Sequence, residues 1–306
     1  MMSFTYDIKQ ELARFETKKA CCLRAECYGV WLFSKCFTIF ESAFISESHE
    51  LVSKMAELAA TVCGVMPKVS YSVKKRGAYH VSLPDERDRI ALLESFGHTG
   101  RELVLRINYA NIENDCCYAA FLRGAFLACG MITDPQSGYN MEYLSQNRPL
   151  TKDLMDLLNG LDDISMRAQT GNRKGSCYVY LKESEQCEEL LTYIGAFGGA
   201  MKLMQVKMYK EAKNNINRVS NFETANMDKT YSASARQIAA IARISDAGKL
   251  SELPAEQQAI AVMRLENPEM SLRELSEQLN HSRSGINYRM KKIMEFAENL
   301  PFPDTL

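Results

Sequence analysis

The sequence predicts an α+β fold in which two copies of one unit are followed by a small all-α domain. The first observation is an internal repeat, because residues 21–33 return ninety-five positions later within residues 116–130. The second is that both halves of residues 1–204 divide into the same order of helix, strand, helix, hairpin and helix. The third is the C-terminal part of the chain, where apolar residues keep a helical spacing. Together they predict a pseudo-symmetric double unit with a helical domain behind it.

The repeated segment is predicted to be a helix with its small residues on one face. The aligned residues of the two copies are Cys21 with Cys116, Cys22 with Cys117, Ala25 with Ala120, and Gly29 with Gly124. Small side chains on one face let two helix backbones approach closely. We therefore expect the two helices to pack together about a pseudo-twofold axis.

The elements of the first repeat, residues 1–110, follow from local periodicity. Ile8, Leu12 and Phe15 recur at helical spacing, and aromatic and β-branched residues mark strands. Beside the repeat helix, the predicted elements are a helix over 4–18, a strand over Cys36–Ser46, a helix over Glu50–Val65, a hairpin of Lys68–Val73 with Ala78–Leu83, and a helix over Asp85–Phe96.

The second repeat, residues 111–204, has the same order. The predicted elements are a helix over Cys116–Cys129, a strand over Tyr139–Ser145, a helix over Thr151–Leu161, a hairpin of Ser165–Gln169 with Ser176–Leu181, and a helix over Glu183–Gly195. We expect the last helix to end in the glycine-rich stretch of Gly195, Gly198 and Gly199, since glycine commonly terminates helices.

Basic residues are gathered in the two hairpin turns and in a helical linker, residues 205–237. The turns contain Lys74, Lys75, Arg76, Arg173 and Lys174, and the linker contains Lys207, Lys210, Lys213 and Arg218. Cations interleaved with asparagine on a helical spacing can follow the phosphates of a nucleic acid. Exposed turns and linkers are also often charged without binding anything, so both interpretations stay open.

The pattern of capping residues and apolar residues in residues 238–306 predicts a helix-turn-helix domain. Ser271 and Glu274 have the spacing of a capping box, which begins a helix. Asn280 suits the left-handed conformation of a turn, and Ser282 can cap the helix that follows. Two short helices joined by a turn of three to four residues form this motif, which in many proteins binds DNA.

The second helix of the motif has a basic face. With its apolar stripe buried, the side chains left for solvent or DNA are Ser282, Arg283, Ser284, Asn287, Tyr288, Arg289, Lys291 and Lys292. The N-terminal half of this helix enters the major groove, where arginine can read guanine and asparagine can read adenine. Lys291 and Lys292 better suit phosphates. The alternative is a three-helix interaction module whose basic face is incidental.

Composition and charge exclude several classes of protein. The 306 residues have a net charge of −1, so any binding to nucleic acid must depend on local basic patches. No apolar run approaches the roughly twenty residues that span a membrane, and no signal peptide opens the chain. We therefore expect a cytoplasmic protein without membrane partners.

Ten cysteines and four histidines offer little for catalysis. No cysteine pair has a typical zinc spacing, and none has the histidine and acid that nucleophilic catalysis needs nearby. We therefore expect no metal and no cofactor. One alternative stays open, in which Cys21, Cys22, Cys116 and Cys117 meet across the axis and hold a metal, instead of being small thiols at a tight helix interface.

The double unit resembles the LAGLIDADG homing-endonuclease fold, a saddle of strands beneath paired helices. Residues 122–130, LRGAFLACG, match the leading leucine and two glycines of that family's motif. In the family, an acid before the final glycine ligates a divalent metal, whereas this chain has Cys129 there and Ser34 at the matching place in the first copy. Neither is a hard oxygen ligand as a carboxylate is. The resemblance implies the scaffold without cleavage; an active nuclease using Asp134 is the least favoured alternative.

Nearly the whole chain resembles the WhiA family of bacterial regulators. The matching stretches are the two CC-x2-A…G helices, FLRGAFLACGMITDP at 121–135, NRVSN at 217–221 with ETAN at 223–226, and SLRELSEQLNHSRSGINYRMKK at 271–292. The resemblance implies a nucleoid-associated, non-enzymatic transcription regulator from a Gram-positive bacterium. Its partners would be double-stranded DNA and a second transcription factor, and its role sporulation, or cell division with chromosome segregation. A scaffold that holds a protein or small ligand is the alternative class.

Overall fold

A computed structural model of the chain describes residues 3–72, 77–173 and 175–300. The chain forms two compact units, Met1–Lys210 and Glu211–Leu306. The first combines helices and strands and the second is helical, so the predicted fold class is confirmed. Within the described ranges, no helix is both long and apolar enough to cross a membrane.

In the first repeat, the described residues form one four-stranded antiparallel sheet and four α-helices. Its elements are α1 (Phe4–Ala13), α2 (Ala20–Leu32), β1 (Cys36–Phe37), β2 (Ser42–Ser46), α3 (His49–Cys63), β3 (Lys68–Ser72), β4 (Ala78–Ser82) and α4 (Glu86–Ser95). The strand order is β1-β2-β4-β3. Val81 of β4 pairs with Phe44 and Val69 in the neighbouring strands, and the side chains of Val81 and Phe44 are buried.

The second repeat has the same topology. Its elements are α5 (Asp115–Cys129), β5 (Gly130–Ile132), β6 (Met141–Ser145), α6 (Arg148–Asn159), β7 (Gln169–Arg173), β8 (Ser176–Leu181) and α7 (Ser184–Ile194). The strand order, β5-β6-β8-β7, is the counterpart of the first sheet. The repeat that the sequence predicts is therefore a repeat of structure.

The two repeats are joined by the packing of α2 along α5. A Cβ atom on Gly29 would overlap the carbonyl oxygen of Phe121, and one on Gly124 would overlap the carbonyl oxygen of Glu26. These contacts are symmetric, since Phe121 and Gly124 stand ninety-five positions after Glu26 and Gly29. The small residues thus allow the direct backbone contact that their spacing predicts.

A buried group of charges lies beside this helix pair. The Glu26 carboxylate is inaccessible to solvent, with the Arg123 guanidinium 3.1 Å from Oε2 and the Lys54 ammonium 3.0 Å from Oε1. The contact with Lys54 lacks hydrogen-bond geometry and is an ion pair only. Arg123 also donates to the carbonyl of Ile194 (3.0 Å) and to the hydroxyl of Thr17 (2.9 Å). This group ties α2, α3, α5 and α7 together.

One local prediction was wrong. The stretch Cys36–Ser46 is not one strand but the hairpin of β1 and β2, because Thr38 and Glu41 bond to each other and close a turn. The last helix of the second repeat ends at Gly195 (φ 95°), as predicted, and the next helix starts directly afterwards, with Gly198 and Gly199 in its first turn. Their N–H groups donate to the carboxylate of Glu11 at 2.6 and 3.0 Å.

That next helix, α8 (Phe197–Asp246), runs from the first unit into the second. Residues 211–229 are exposed on every face. The remaining helices of the second unit are α9 (Ala255–Glu266), α10 (Leu272–Gln278) and α11 (Arg283–Glu298). They share a core with the end of α8, and its fully buried members include Ile241, Ile244, Ile260, Leu275, Ile286 and Ile293.

Candidate nucleic-acid interface

The second unit contains a helix-turn-helix made of α10 and α11. The hydroxyl of Ser271 accepts a hydrogen bond from Glu274 N (3.3 Å), and the Glu274 carboxylate accepts one from Ser271 N (2.7 Å). This reciprocal pair is the capping box that the sequence predicts, and it satisfies two N–H groups at the start of α10. The start of α10 is therefore determined locally.

The turn between the two helices depends on Asn280. Its φ is 52°, and among the described residues it alone has a positive φ without being glycine. Asparagine tolerates this left-handed conformation better than other side chains do. Ser282 then caps α11, its hydroxyl accepting a hydrogen bond from Gly285 N (3.1 Å). The turn thereby sets the direction in which α11 leaves it.

The exposed face of α11 carries most of the side chains predicted to contact DNA. Ile286, Met290 and Ile293 are buried against the core, as predicted. On the opposite side, the exposed residues are Ser282, Arg283, Ser284, Asn287, Tyr288, Lys291 and Lys292. The first acid of the helix is Glu295, so the N-terminal two thirds of this face is free of negative charge.

Arg289 differs from the other predicted contacts. Its guanidinium forms an ion pair with Glu256 of α9, at 2.6 Å, and its side chain is 27% exposed. This pair fastens α11 to α9 within the unit. A contact with DNA would require Arg289 to share its donors with Glu256 or to leave it.

Lys291 and Lys292 lie farther along the exposed face, beside Glu295. The distances from their ammonium nitrogens to the nearest carboxylate oxygen of Glu295 are 4.0 and 2.7 Å. The hydrogen bond to Glu295 raises the pKa of Lys292. Exposed pairs of this kind contribute little to stability, so a phosphate could replace the carboxylate at small cost.

The predicted linker cations divide into two groups. Lys207 forms an ion pair with Glu185, and Lys210 donates to the carbonyl of Pro135 (2.6 Å), all within the first unit. Lys213 and Arg218 are exposed on α8. The structure therefore gives Lys207 and Lys210 roles in holding α8 to the second repeat.

The predicted cations of the hairpin turns are described only in part. Lys74, Lys75, Arg76 and Lys174 lie outside the described residues. Arg173 is paired with Glu142 at 3.2 Å, and its guanidinium lies 5.3 Å from the ring centre of Tyr178. Its side chain is still half exposed.

The two degenerate acid positions line one cleft at the end of the helix pair. The cleft has a volume of about 920 Å³, and its wall includes Ser34 and Cys129. The Ser34 hydroxyl donates to the carbonyls of Trp31 (2.7 Å) and Cys36 (3.0 Å). Burial raises the pKa of the Cys129 thiol to about 12, which keeps it neutral at ordinary pH. Neither group resembles a carboxylate ligand for a hard cation.

The same cleft contains a lysine that the sequence did not single out. Burial lowers the pKa of Lys9 from 10.5 to about 8, and the nearby Cys129 opposes that shift. Lys9 belongs to the amphipathic helix α1, where a lysine between apolar positions is ordinarily solvent-facing. Lys9 is half-buried, and no local pattern could have indicated this, because α1 is covered by elements far away in the chain.

Asp134, the acid considered for an active nuclease, does not line this cleft. It is exposed in the turn after β5, where its carboxylate accepts a hydrogen bond from Gln136 N (2.8 Å). Glu41 is the one carboxylate among the residues of the cleft wall. The described residues thus provide no pair of acids at the ends of α2 and α5.

The sequence also missed a buried arginine beneath the helix-turn-helix. Arg264 of α9 is 1% exposed, and its guanidinium donates to the carbonyl of Met270 (2.5 Å) and approaches that of Asn267 (3.4 Å). Burial lowers the pKa of Arg264. An arginine in an amphipathic helix usually marks the solvent face, so only the loop that folds over it reveals this role.

Comparisons with known proteins agree with this architecture. The profile described as the WhiA LAGLIDADG-like domain matches residues 118–213, and the WhiA C-terminal HTH domain matches residues 216–297. A protein of Ruminiclostridium cellulolyticum named "Probable cell division protein WhiA" is 34% identical in an alignment of 310 positions that covers 98% of each chain. The chain belongs to the WhiA family.

Further relatives support the assignment. A protein of Clostridium botulinum with the same name is 36% identical over 77% of this chain and 76% of its own. The solved structure of full-length DUF199/WhiA from Thermatoga maritima has a TM-score of 0.60 and 23% identity, covering 99% of this chain and all of the other. That likeness extends the shared fold to the whole chain.

Proposed function

We propose that this chain is a regulator that binds double-stranded DNA through α11. The observation that carries the proposal is the exposed face of that helix, which begins with Arg283, Ser284 and Asn287 and continues to two lysines without an intervening acid. A helix that follows the turn of this motif enters the major groove with its N-terminal residues foremost. The match to a WhiA C-terminal HTH domain supports the same conclusion.

The exposed side chains divide by chemistry into two kinds of contact. Arg283 and Asn287 are suited to base edges, since arginine can pair with guanine and asparagine with adenine through two hydrogen bonds each. Ser284 can contact either a base or the backbone. Tyr288, Lys291 and Lys292 would contact phosphates, with Ser282 at the cap and exposed Lys213 and Arg218 as further contributors.

The first unit would be a scaffold without nuclease activity. Support comes from Ser34 and Cys129, which stand where metal-binding acids would be needed, and from the position of Asp134 outside their cleft. Family relatives are named as cell division proteins. The chain would accordingly act in cell division by regulating transcription at DNA sites of the nucleoid. The processes it regulates would include chromosome segregation and sporulation, and its partner would be a second transcription factor.

The experiment is a binding titration over a range of salt concentrations. Genomic fragments recovered on the full-length chain supply the specific duplex, and shuffled DNA of equal length supplies the non-specific one. We expect the affinity for both duplexes to fall as the salt concentration rises. Basic side chains release counterions from the DNA phosphates on binding, and this release is less favourable in concentrated salt. The double change Arg283→Ala with Asn287→Ala should weaken specific binding more than non-specific binding, while Arg14→Ala, which removes one exposed charge from the first unit, should change neither. Absent or salt-independent binding would overturn the proposal.

The cleft of about 920 Å³ favours a second candidate function, a scaffold for a protein or small ligand. Cavities of this size can hold a drug-sized molecule. In this case a pull-down from a bacterial lysate should recover the same partner with and without residues 238–306. If the deletion abolishes both the recovery of every partner and the binding of DNA, the scaffold function is excluded and the DNA-binding proposal is the one that stands.

A further inference from the structure

Four thiols meet where α2 and α5 begin. The Sγ atoms of Cys21, Cys22, Cys116 and Cys117 all lie within 4.8 Å of one another. The sequence repeat places one adjacent pair in each helix, and the packing of the helices brings the two pairs together. The cluster therefore combines residues ninety-five positions apart.

The distances between the sulfur atoms suit a metal ion. Sγ of Cys21 lies 3.9 Å from Sγ of Cys116 and 4.0 Å from Sγ of Cys22. In a tetrahedral site with metal–sulfur bonds of about 2.3 Å, neighbouring sulfurs are roughly 3.8 Å apart. Small rotations of the side chains would bring four sulfurs to such a centre.

Both cysteine pairs lie at the N-terminal end of a helix. Each cysteine pair lies in the first turn of its helix, where unpaired N–H groups and the helix dipole stabilise negative charge. Neither helix has a side-chain cap that would occupy those N–H groups.

The cluster is open to solvent on one side and buried on the other. Cys22 and Cys117 are buried, whereas Cys21 and Cys116 are accessible to solvent. Asn114 lies at hydrogen-bond distance from a ligand atom, its Nδ2 being 4.0 Å from Sγ of Cys117. An ion could thus arrive from solvent and be held by two groups that are already shielded.

We propose that Cys21, Cys22, Cys116 and Cys117 bind one thiophilic divalent cation of the zinc type, which joins the N-terminal ends of the two repeat helices. Each thiol loses its proton to the buffer as the ion binds, and the complex of a dication with four thiolates is doubly negative. Its function is structural, because four protein ligands leave no open position for a substrate. The proposal takes up the alternative that the sequence left open for these four cysteines, in place of the metal-free expectation.

The test uses the full-length chain purified under reducing conditions. Metal analysis after growth with zinc should find about one zinc ion per chain. Titration of the metal-free chain with Co²⁺ should produce the thiolate-to-cobalt charge-transfer absorption and the visible bands of a tetrahedral site, and Zn²⁺ should abolish both. Cys22→Ser with Cys117→Ser should lose this binding. Cys36→Ser with Cys177→Ser, which changes two half-buried cysteines outside the cluster, should retain it.

The wild-type titration keeps the proposal falsifiable even if a cysteine variant does not fold, and circular dichroism identifies such a variant. A reduced, folded wild-type chain that takes up neither Zn²⁺ nor Co²⁺ would overturn the proposal. So would equal metal binding by the folded Cys22→Ser, Cys117→Ser variant. A Cys21–Cys116 disulfide in the unreduced chain, with no metal uptake after reduction, would show a redox pair instead and would also overturn it.

Discussion

Gly124 in α5 lies against the backbone carbonyl of Glu26 in α2 so closely that any side chain would displace one of the helices. The symmetric contact of Gly29 with Phe121 imposes the same limit from the other helix. The interface between the repeats is therefore a backbone contact, and it cannot relax by the rotation of a side chain.

Gly124→Ala should destabilise the first unit by about 1–3 kcal/mol or more, the usual range for overpacking. Gly138→Ala is the matched control, because a Cβ atom there meets nothing within 4 Å. Denaturant unfolding followed by probes in each unit would measure the change. Equal unfolding curves for the two variants would contradict the close contact.

Glu26→Gln should cost about 3–5 kcal/mol in the stability of the first unit, since it leaves Arg123 and Lys54 without their buried counter-charge. The control is Glu50→Gln, which breaks the exposed pair of Glu50 with Arg14 and should cost about 0–1 kcal/mol. Thermal unfolding of both variants gives the comparison. A similar loss of stability in the two variants would contradict the burial of Glu26, Arg123 and Lys54.

Arg283 and Arg289 should behave differently although both are on α11. Arg283→Ala should lose about 1–3 kcal/mol of specific DNA binding and leave the stability of the second unit unchanged. Arg289→Ala should cost about 0–1 kcal/mol of stability through its pair with Glu256, and less binding than Arg283→Ala. Anisotropy titrations and thermal unfolding separate the two. A larger binding loss at Arg289 would show that it leaves Glu256 on contact with DNA.

Lys9 should give the first unit a distinct dependence on pH. Between about pH 8 and 10.5 the unfolded chain keeps the proton that folded Lys9 has lost, so Lys9 makes the free energy of unfolding rise with pH in that window. The buried thiol of Cys129 has a raised pKa and acts in the opposite direction above its ordinary value of 9.0. The difference between wild type and Lys9→Met isolates the contribution of Lys9. A difference that does not vary with pH would contradict the lowered pKa.

The sequence predicted best where structure depends on neighbours in the chain. The capping box of Ser271 with Glu274 and the turn at Asn280 use contacts within four residues, and each was predicted. The buried stripe of α11 was predicted from apolar residues spaced three and four apart. The repeat helices were predicted because their small residues recur at one spacing. These signals are local or repeated, so no knowledge of distant contacts was needed.

The sequence predicted least where a distant residue decides the structure. Gly198 and Gly199 begin a helix because Glu11, almost two hundred residues earlier, accepts hydrogen bonds from their N–H groups. Arg264 is buried, and Lys9 half-buried, by elements that their own helices do not reveal. Arg289 has the spacing of a DNA contact, and only the packing of α9 shows that Glu256 faces it.

Residues 211–229 of α8 have no neighbouring layer, so their helical hydrogen bonds are the main source of local order. This stretch includes asparagines at 214, 215, 217, 221 and 226, and asparagine is a poor helix former. In proteins, most of the stability of a helix comes from tertiary packing, which this stretch lacks among the described residues. Its amide hydrogens should therefore exchange with solvent deuterium long before those of either core, and the peptide bonds around Asn214 and Asn215 should be among the first that a protease cuts.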